Sequence, residues 1–218
     1  MAAIAPHILD KIGTTTPPAV TAAIRSLARD LSPNFEPGFV PVRPAPSSQV
    51  SECFPNVVAK VAQSGGRILY GWAIWMWPRV FIEAEHHAVW DDGTDLVDIT
   101  PHIHGEKRIL FLPDPERAYD FEGQSRLLNV KRSLGEVPAA QRWIDASDQL
   151  QRFLVAHTAG AEMTFSRDEV MPLADEVQYR KAEILVALAG RTRPHEPCVC
   201  GSGRKFRKCC FPHIHLDR

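Results

Sequence analysis

The chain has 218 residues, of which 44% are hydrophobic and 23% are charged, and its formal net charge is −1. This composition is that of a globular protein with one domain of ordinary size and a small appendage, and it excludes a disordered chain. The balanced charge gives the whole molecule no bias towards nucleic acid.

Both the start of the chain and its cysteines indicate a cytoplasmic protein. Residues 1–7 have neither the basic start nor the apolar run of a signal peptide. The most apolar stretch, residues 68–77, is too short to span a bilayer, so no transmembrane helix is expected. Four of the five cysteines fall within residues 198–210, which is typical of a metal site rather than of a disulfide framework.

Residues 1–48 are predicted to hold one helix and a connector. Thr16 precedes two prolines and is expected to cap a helix that ends before Pro33. Its apolar residues recur at helical spacing: Val20, Ile24, Leu27 and Leu31. Four prolines within residues 37–46 predict an extended connector that leads to the next helix.

That next helix is predicted to begin at Cys53. Val57, Val58 and Val61 form an apolar stripe at helical spacing, and Pro55 is tolerated in a first turn. The partial positive charge at a helix N-terminus favours the thiolate, which is the reactive form of cysteine. Cys53 is therefore a candidate nucleophile.

Two strands, residues 80–90 and 94–100, are predicted to form a hairpin. The Asp-Gly dipeptide at residues 92–93 lies between them and favours a tight turn. A further short strand is predicted at residues 107–112. Pro138 is expected to begin a helix, and a second helix is expected at about residues 172–189, where both would cover the sheet or form dimer contacts.

The turn also predicts the register of the hairpin. A two-residue loop pairs Asp91 with Thr94, and this places His87 directly across from Asp98, with their Cβ atoms about 5 Å apart. A four-residue loop over residues 91–94 keeps this register, whereas a three-residue loop destroys it.

Alternation along the first strand separates its two histidines. His86 shares an apolar face with Ala84 and Ala88, while His87 shares its face with Glu83 and is the better candidate for catalysis. The helix that carries Cys53 must then pack on the His87 face. His102 and His104 form an isolated His-x-His pair, which we interpret as surface or supporting residues rather than metal ligands.

Cys53, the His87-Ala-Val-Trp sequence and the Asp98-Ile-Thr-Pro sequence together resemble the core of the papain-like and transglutaminase-like superfamily. The resemblance covers roughly residues 49–101. It implies a thiol acyl-transfer site in which Cys53 is the nucleophile, His87 the general base and then acid, and Asp98 the residue that orients the imidazole. Gln49 lies just upstream of Cys53, but its spacing does not identify it as an oxyanion donor, so the backbone N–H of Cys53 is the default contributor.

Cys53 also has a structural interpretation. A single cysteine in a chain of this length is often a small buried hydrophobic residue without chemistry. A non-catalytic adaptor, whose core binds a protein segment while its C-terminal segment recruits a chaperone, ribosome or membrane surface, is therefore retained as the second hypothesis beside the enzyme.

The C-terminal sequence contains Cys-x-Cys, eight residues and then Cys-Cys. Four thiolates at this spacing can close a tetrahedral Zn²⁺ site, and the predicted ligands are Cys198, Cys200, Cys209 and Cys210. His213 and His215 are less favoured substitutes for the last ligand. Four sulfurs leave no open position, so the site is expected to be structural and the segment unfolded without metal.

This segment resembles the SEC-C zinc motif, which occurs at the C-terminus of the SecA translocation ATPase. The resemblance implies docking to a partner such as a chaperone, the translocation machinery or a membrane surface. Residues 191–218 carry seven lysines and arginines against two acidic residues, a net of +5 that leaves −6 for residues 1–190. The basic surface is expected to serve that docking role.

Taken together, the sequence predicts an α+β protein in four segments. Residues 1–48 hold the N-terminal helix and connector, 49–113 the Cys-His-Asp core, 114–190 a helical cover and 191–218 a linker with the zinc motif. The predicted function is a cytoplasmic cysteine-dependent amide hydrolase that acts on a protein or peptide and docks a partner through its zinc segment.

Overall fold

A computed structural model describes residues 3–4, 8–9, 12–123, 127–159 and 162–215. Its helices are α1 Ala22–Leu31, α2 Cys53–Ser64, α3 Ala139–Ala156 and α4 Arg167–Ala189. Its strands are β1 Ala3–Ile4, β2 Gly38–Pro41, β3 Arg67–Trp77, β4 Phe81–Asp91, β5 Leu96–Val97, β6 Arg108–Pro113, β7 Val130–Ser133, β8 Thr158–Ala159, β9 Glu162–Met163 and β10 Ile214–His215. The predicted α+β class is confirmed.

One six-stranded sheet organises these elements. Its strand order is β2-β6-β3-β4-β5, and β7 pairs with β4 off this path. The pairs β2–β6, β3–β6 and β4–β5 are antiparallel. Long β3 and β4 suit the centre of the sheet because both are rich in aromatic and aliphatic residues that pack on a pleated surface. Among the described residues, no helix has the length and apolar character needed to cross a membrane.

The β4–β5 hairpin has a different register from the predicted one. Asp91 pairs with Leu96 and Trp90 with Val97, so the loop is the four residues 92–95. The reason is the Asp92 carboxylate, whose Oδ1 accepts the backbone N–H groups of Thr94 and Asp95, both at 2.8 Å. Such side-chain capping of a turn stabilises a loop longer than the tight turn that Asp-Gly favours.

This register differs from the predicted one by two residues, so every side chain stays on its predicted face. The position that faces Asp98 in the extended register is Val89 rather than His87. Asp98 and His87 become diagonal neighbours, which remain within reach of long side chains. Strand β5 also ends earlier than predicted, because after Val97 the Asp98 backbone N–H donates to Pro41 O at 3.0 Å and residue 98 bridges to Val42.

Helices α1 and α4 begin at other residues than predicted. Thr21, not Thr16, caps α1, because its hydroxyl accepts the Ile24 N–H at 3.3 Å while Pro17 disfavours helical backbone just before it. In α4 a capping box between Ser166 and Glu169 starts the helix at Arg167. Pro172 therefore lies inside α4 rather than at its start.

The chain divides into two units. One contains residues 15–75 and 83–130, and the other contains residues 1–14, 76–82 and 131–218. The predicted four-segment division is not tested by this grouping and stays a prediction.

In the unit of residues 15–75 and 83–130, apolar residues cover both faces of the sheet. One cluster joins α2 to β4 and the segment after it: Cys53, Phe54, Val57, Ala88, Val97 and Ile99. The other lies on the opposite face: Val40, Ala73, Trp75, Val89, Ile109 and Phe111. Helix α2 therefore packs its apolar side on the Ala88 face, and the prediction that it covers the His87 face is wrong. The His87 face is occupied by apolar side chains of the sheet itself.

In the unit of residues 1–14, 76–82 and 131–218, the C-terminal cysteine segment is part of the core. Cys198, Cys200, Phe206 and Cys210 are buried in the same cluster as residues of α3 and α4. Trp77 belongs to that cluster, and its indole N–H donates to Val199 O at 2.8 Å. The segment thus has a hydrophobic environment that its own few residues could not supply.

Two adjacent glycines after α2 give a matched test of this fold. Gly65 and Gly66 have φ of 72° and 80°, so alanine at either position adopts an unfavourable backbone, at a cost of roughly 1–3 kcal/mol. A Cβ at Gly65 meets no atom within 4 Å, whereas a Cβ at Gly66 meets the Asp91 backbone oxygen and lies 2.7 Å from Trp90 Nε1.

We expect Gly66→Ala to lose about 1–3 kcal/mol more unfolding free energy than Gly65→Ala, because only Gly66→Ala adds overpacking. Urea denaturation of the two variants and the wild type measures the difference. Equal losses would contradict the packing of residue 66 against β4.

Candidate thiol site and cysteine cluster

Cys53 occupies the first position of α2, as predicted. Glu52 is the N-cap residue but makes no side-chain capping bond, and Pro55 lies in the first turn, where its missing N–H costs little. Ser51 has a φ of 64°, which is unusual for a residue with a Cβ. Cys53 is 7% exposed, so the structure places the sulfur just beneath the surface of the protein.

His87 and Asp98 lie side by side, although not directly across from one another. His87 Nε2 is 3.2 Å from Asp98 Oδ2, and the two residues are 4% and 0% exposed. A carboxylate can only accept hydrogen bonds, so the imidazole donates through its Nε2–H. This tautomer leaves Nδ1 as the ring nitrogen for Cys53. His87 also makes a side-chain hydrogen bond with Cys53, so the structure brings the three predicted residues together.

The Asp98 carboxylate is held at both oxygens. Its Oδ1 accepts the backbone N–H of Thr100 at 2.9 Å. Its Oδ2 accepts from His87 and also from His102, whose Nε2 is 2.6 Å away. The main chain of Asp98 is fixed to the β2 segment through Pro41 and Arg43. A fully buried carboxylate with these partners has a single orientation.

The sequence analysis interpreted His102 only as a surface or supporting residue, whereas in the structure it contacts Asp98 directly. It follows Asp98 by four residues, and Trp75 packs edge-on against its ring with centroids 5.2 Å apart. The chain between Asp98 and Pro101 turns back on itself to bring His102 to the carboxylate. A His four residues after a buried Asp, across a Thr-Pro, is the signal that could have identified it.

Asn56 is a second residue that the sequence analysis missed. Its side chain bonds Gln49 twice, accepting from the backbone N–H at 2.9 Å and donating to the backbone O at 2.8 Å. It also donates to Thr100 Oγ1 at 3.3 Å. Asn56 lies one turn after Cys53, so it ties helix α2 to the loop that carries Asp98. Gln49 itself is exposed, and its backbone serves this link.

The charges of the site favour an imidazolium beside a carboxylate. Burial lowers the pKa of His87, but the charges of Cys53 and Asp98, with hydrogen bonds to both, outweigh burial and hold the pKa well above its ordinary value. Burial raises the pKa of Asp98, yet the His87 charge and hydrogen bonds from His102 and His87 bring it well below its ordinary value. Each of these two groups therefore stabilises the charged form of the other.

His86, the other histidine of β4, has a different environment. Its Nε2 lies 2.6 Å from Arg117 O, and its ring packs on Phe54 with centroids 4.8 Å apart. Burial lowers its pKa, so this imidazole is held neutral. His86 thus contributes to packing beneath α2, while His87 carries the contacts to acid and thiol.

The four C-terminal cysteines form a cluster that could hold a metal ion. Their sulfurs lie within 4.8 Å of one another. Cys200 Sγ and Cys209 Sγ are 3.6 Å apart, close to the separation of about 3.8 Å that four sulfurs at about 2.3 Å from one tetrahedral zinc ion require. The donor set therefore fits a tetrahedral metal ion. Among the described residues, Cys210, rather than His213, is the fourth member of the cluster. The side chain of His215, the other substitute, lies outside them.

The protons and neighbours of this cluster agree with a thiolate site. A hydrogen bond with Cys200 raises the pKa of Cys198 to about 11, and the bond with Cys198 lowers the pKa of Cys200. One thiolate is thus stabilised by neighbouring S–H groups that a metal ion would displace. Ser202 Oγ at 3.4 Å and Arg204 Nη2 at 3.2 Å contact Cys209 Sγ.

Comparison with protein families identifies a SEC-C motif at residues 196–212, which include the four cysteines. Comparison of the chain with curated proteins and with solved structures gives no match. The SEC-C motif is therefore a property of this C-terminal segment.

Replacing Asp98 tests the buried pair of charges. Asp98→Asn keeps the shape of the side chain but leaves the imidazolium of His87 buried without its carboxylate counter-charge. We expect a loss of about 3 kcal/mol in the free energy of unfolding, because removing one partner of a buried ion pair is strongly destabilising. Denaturant unfolding measures it, with exposed Asp95→Asn as the matched control. A loss no larger than that of the control would contradict the arrangement.

Proposed function

We propose that this protein is a cysteine-dependent hydrolase of amide bonds. The observation that carries the proposal is the convergence of Cys53, His87 and Asp98, with the imidazole in contact with both the thiol and the buried carboxylate. Helix α2 begins with the nucleophile, the next strands carry the histidine, and the acid follows. This order of elements supports a papain-like or transglutaminase-like core for residues 49–113.

The reaction follows from the position of His87 between Asp98 and Cys53. In the resting site Nδ1 of His87 already holds the proton of the Cys53 thiol, in keeping with the raised pKa of His87, and the thiolate attacks the carbonyl carbon of an amide. The imidazolium then gives this proton to the leaving nitrogen, which departs as an amine and leaves a thioester on Cys53. Water, deprotonated by the same imidazole, attacks the thioester and releases the acid and the thiol. Asp98 holds the ring and balances its charge throughout.

The backbone N–H of Cys53 is the proposed donor to the oxyanion of the tetrahedral intermediate. It lies at the N-terminus of α2, where the first backbone N–H groups of a helix have no partner within the helix. The substrate class is a carboxamide in a protein or peptide. Deamidation and transamidation use the same groups and differ only in the leaving nitrogen and in the acceptor.

Alkylation tests the thiol chemistry without a known substrate. We expect iodoacetamide to label Cys53 of the native protein near neutral pH about tenfold or more faster than the same cysteine in the denatured chain, because an adjacent base activates the sulfur. Peptide mass spectrometry separates Cys53 from the C-terminal cysteines. The His87→Ala variant is expected to lose the acceleration.

Exposed His104→Ala is the matched control and is expected to retain it. Native labelling no faster than that of the denatured thiol would reject the enzyme. It would instead favour a second function, a non-catalytic adaptor whose core binds a protein segment. That alternative draws support from the burial of Cys53 in the apolar cluster beneath α2.

We further propose that the cysteine cluster holds a structural Zn²⁺. Four sulfurs fill the tetrahedral positions of the ion, so the metal would stabilise the fold of the segment and would not take part in a reaction. It would fix an exposed basic surface formed by Arg204, Lys205, Arg207 and Lys208. This surface supports docking to an acidic partner, for which the SEC-C resemblance suggests a cytoplasmic chaperone or the translocation machinery.

Removal of the metal should be visible at Trp77. Because this indole packs with the cysteine segment and donates to Val199 O, a chelator is expected to expose it and shift its fluorescence to longer wavelength. Subtracting the fluorescence spectrum of Trp77→Phe from that of the wild type gives the emission of Trp77 without that of the other four tryptophans. The corresponding difference spectrum for Trp90→Phe is the control and should not change with chelator. A Trp77 emission maximum that does not move when chelator is added would contradict a structural metal.

A further inference from the structure

The residues around Asp98 form a second set of metal ligands, separate from the cysteine cluster. One ring nitrogen each from His87 and His102 and an oxygen of Asp98 lie within 4.8 Å of one another. The proposed thiol chemistry needs His87 and Asp98 only, so it leaves His102 unexplained. We propose that His87, Asp98 and His102 bind one divalent ion of the zinc type, and that this ion switches off the thiol site.

The donor set matches such an ion. Two imidazole nitrogens and one carboxylate oxygen are the ligands of open zinc sites, in which solvent completes the coordination. Ligands about 2.1 Å from one tetrahedral ion lie about 3.4 Å from each other. His87 Nε2 is already 3.2 Å from Asp98 Oδ2, whereas His102 Nε2, at 2.6 Å, must withdraw by less than about 1 Å.

Neighbouring residues hold the three candidate ligands in their orientations. The Thr100 N–H occupies Asp98 Oδ1 and leaves Oδ2 for the ion. Trp75 packs edge-on against His102, and Phe111 packs edge-on against His87 with centroids 6.5 Å apart. Such contacts orient ligands and raise metal affinity. The His102 side chain is 13% exposed and is the most accessible of the three ligands, so the ion is expected to reach the site from the side of His102.

Metal binding and thiol activation exclude each other at His87. A neutral imidazole has one N–H, and an ion on Nε2 places that proton on Nδ1. A protonated Nδ1 cannot accept the proton of Cys53. The ion also takes the Asp98 oxygen that orients the ring in the metal-free state. This inhibitory part rests on the proposed function, whereas the binding site itself does not.

Titration of the full chain with Co²⁺ tests the site. Two equivalents should bind, because the cysteine cluster takes one and the His-Asp-His site takes the other. The cysteine site should give the strong near-ultraviolet absorption of cobalt thiolate, and the second only weak visible bands typical of nitrogen and oxygen ligands. His102→Gln and Asp98→Asn should lose the second equivalent and keep the first. Exposed His104→Gln, a histidine two residues from His102, should keep both.

The inhibitory part is tested with Zn²⁺ in the alkylation assay. Once both equivalents are bound, Cys53 of the wild type should be labelled about tenfold or more slowly than with one equivalent, because its base is lost. In His102→Gln the second equivalent of Zn²⁺ should have no effect.

Each outcome decides one part of the proposal. A wild type that binds a single equivalent, or a second equivalent that survives in His102→Gln, overturns the site. A second equivalent that leaves the labelling rate of an activated Cys53 unchanged overturns the inhibition. Slow labelling of the protein with one equivalent overturns the thiol chemistry instead, while the cobalt stoichiometry still decides the site.

Discussion

The buried carboxylate of Asp98 is the constraint on which the rest of the thiol site depends. A fully buried charge costs several kcal/mol in desolvation and is tolerated only when it is paired and hydrogen-bonded. Asp98 meets this requirement with two imidazoles at one oxygen and a backbone N–H at the other. The local chain is arranged to supply these partners: β5 stops after Val97, and the next residues turn so that Thr100 and His102 return to the carboxylate.

The same carboxylate connects Cys53 to His87 through the protein framework. Thr100 uses its backbone N–H on Asp98 and its hydroxyl on Asn56, and Asn56 lies one turn after Cys53 in α2. Helix position and imidazole orientation are therefore set by one network. The helix of Cys53 packs on the Ala88 face, and this network helps to hold Cys53 where it also interacts with His87. Preorganisation of this kind is what a thiol catalyst needs, because small errors in placement cost much of the rate.

The sequence predicted which residues lie close together at the candidate thiol site better than it predicted their arrangement. Alternation along β4 fixed the faces of His86 and His87, and an error of two residues in register left those faces unchanged because side chains alternate with a period of two. The error in register arose at Asp92, because its side chain stabilises a longer loop. The turn preference of the Asp-Gly dipeptide does not take this side-chain contact into account. His102 and Asn56 were missed because their roles arise from a turn and from a contact between distant segments. The cysteine ligands needed no such contacts, since their spacing alone brings them together.

The two sets of candidate metal ligands differ in a way that gives them different roles. Four thiolates are soft, negatively charged and fill every position of a tetrahedral ion, so a metal held there exchanges slowly and acts as part of the core. Two imidazoles and one carboxylate are fewer and harder ligands, and they leave a position open to solvent. Their ion must also compete with the hydrogen bonds that Asp98 already makes. The cysteine cluster is therefore suited to a permanently bound structural ion, whereas the His-Asp-His site is suited to reversible binding. Only the His-Asp-His site shares ligands, His87 and Asp98, with the proposed thiol site.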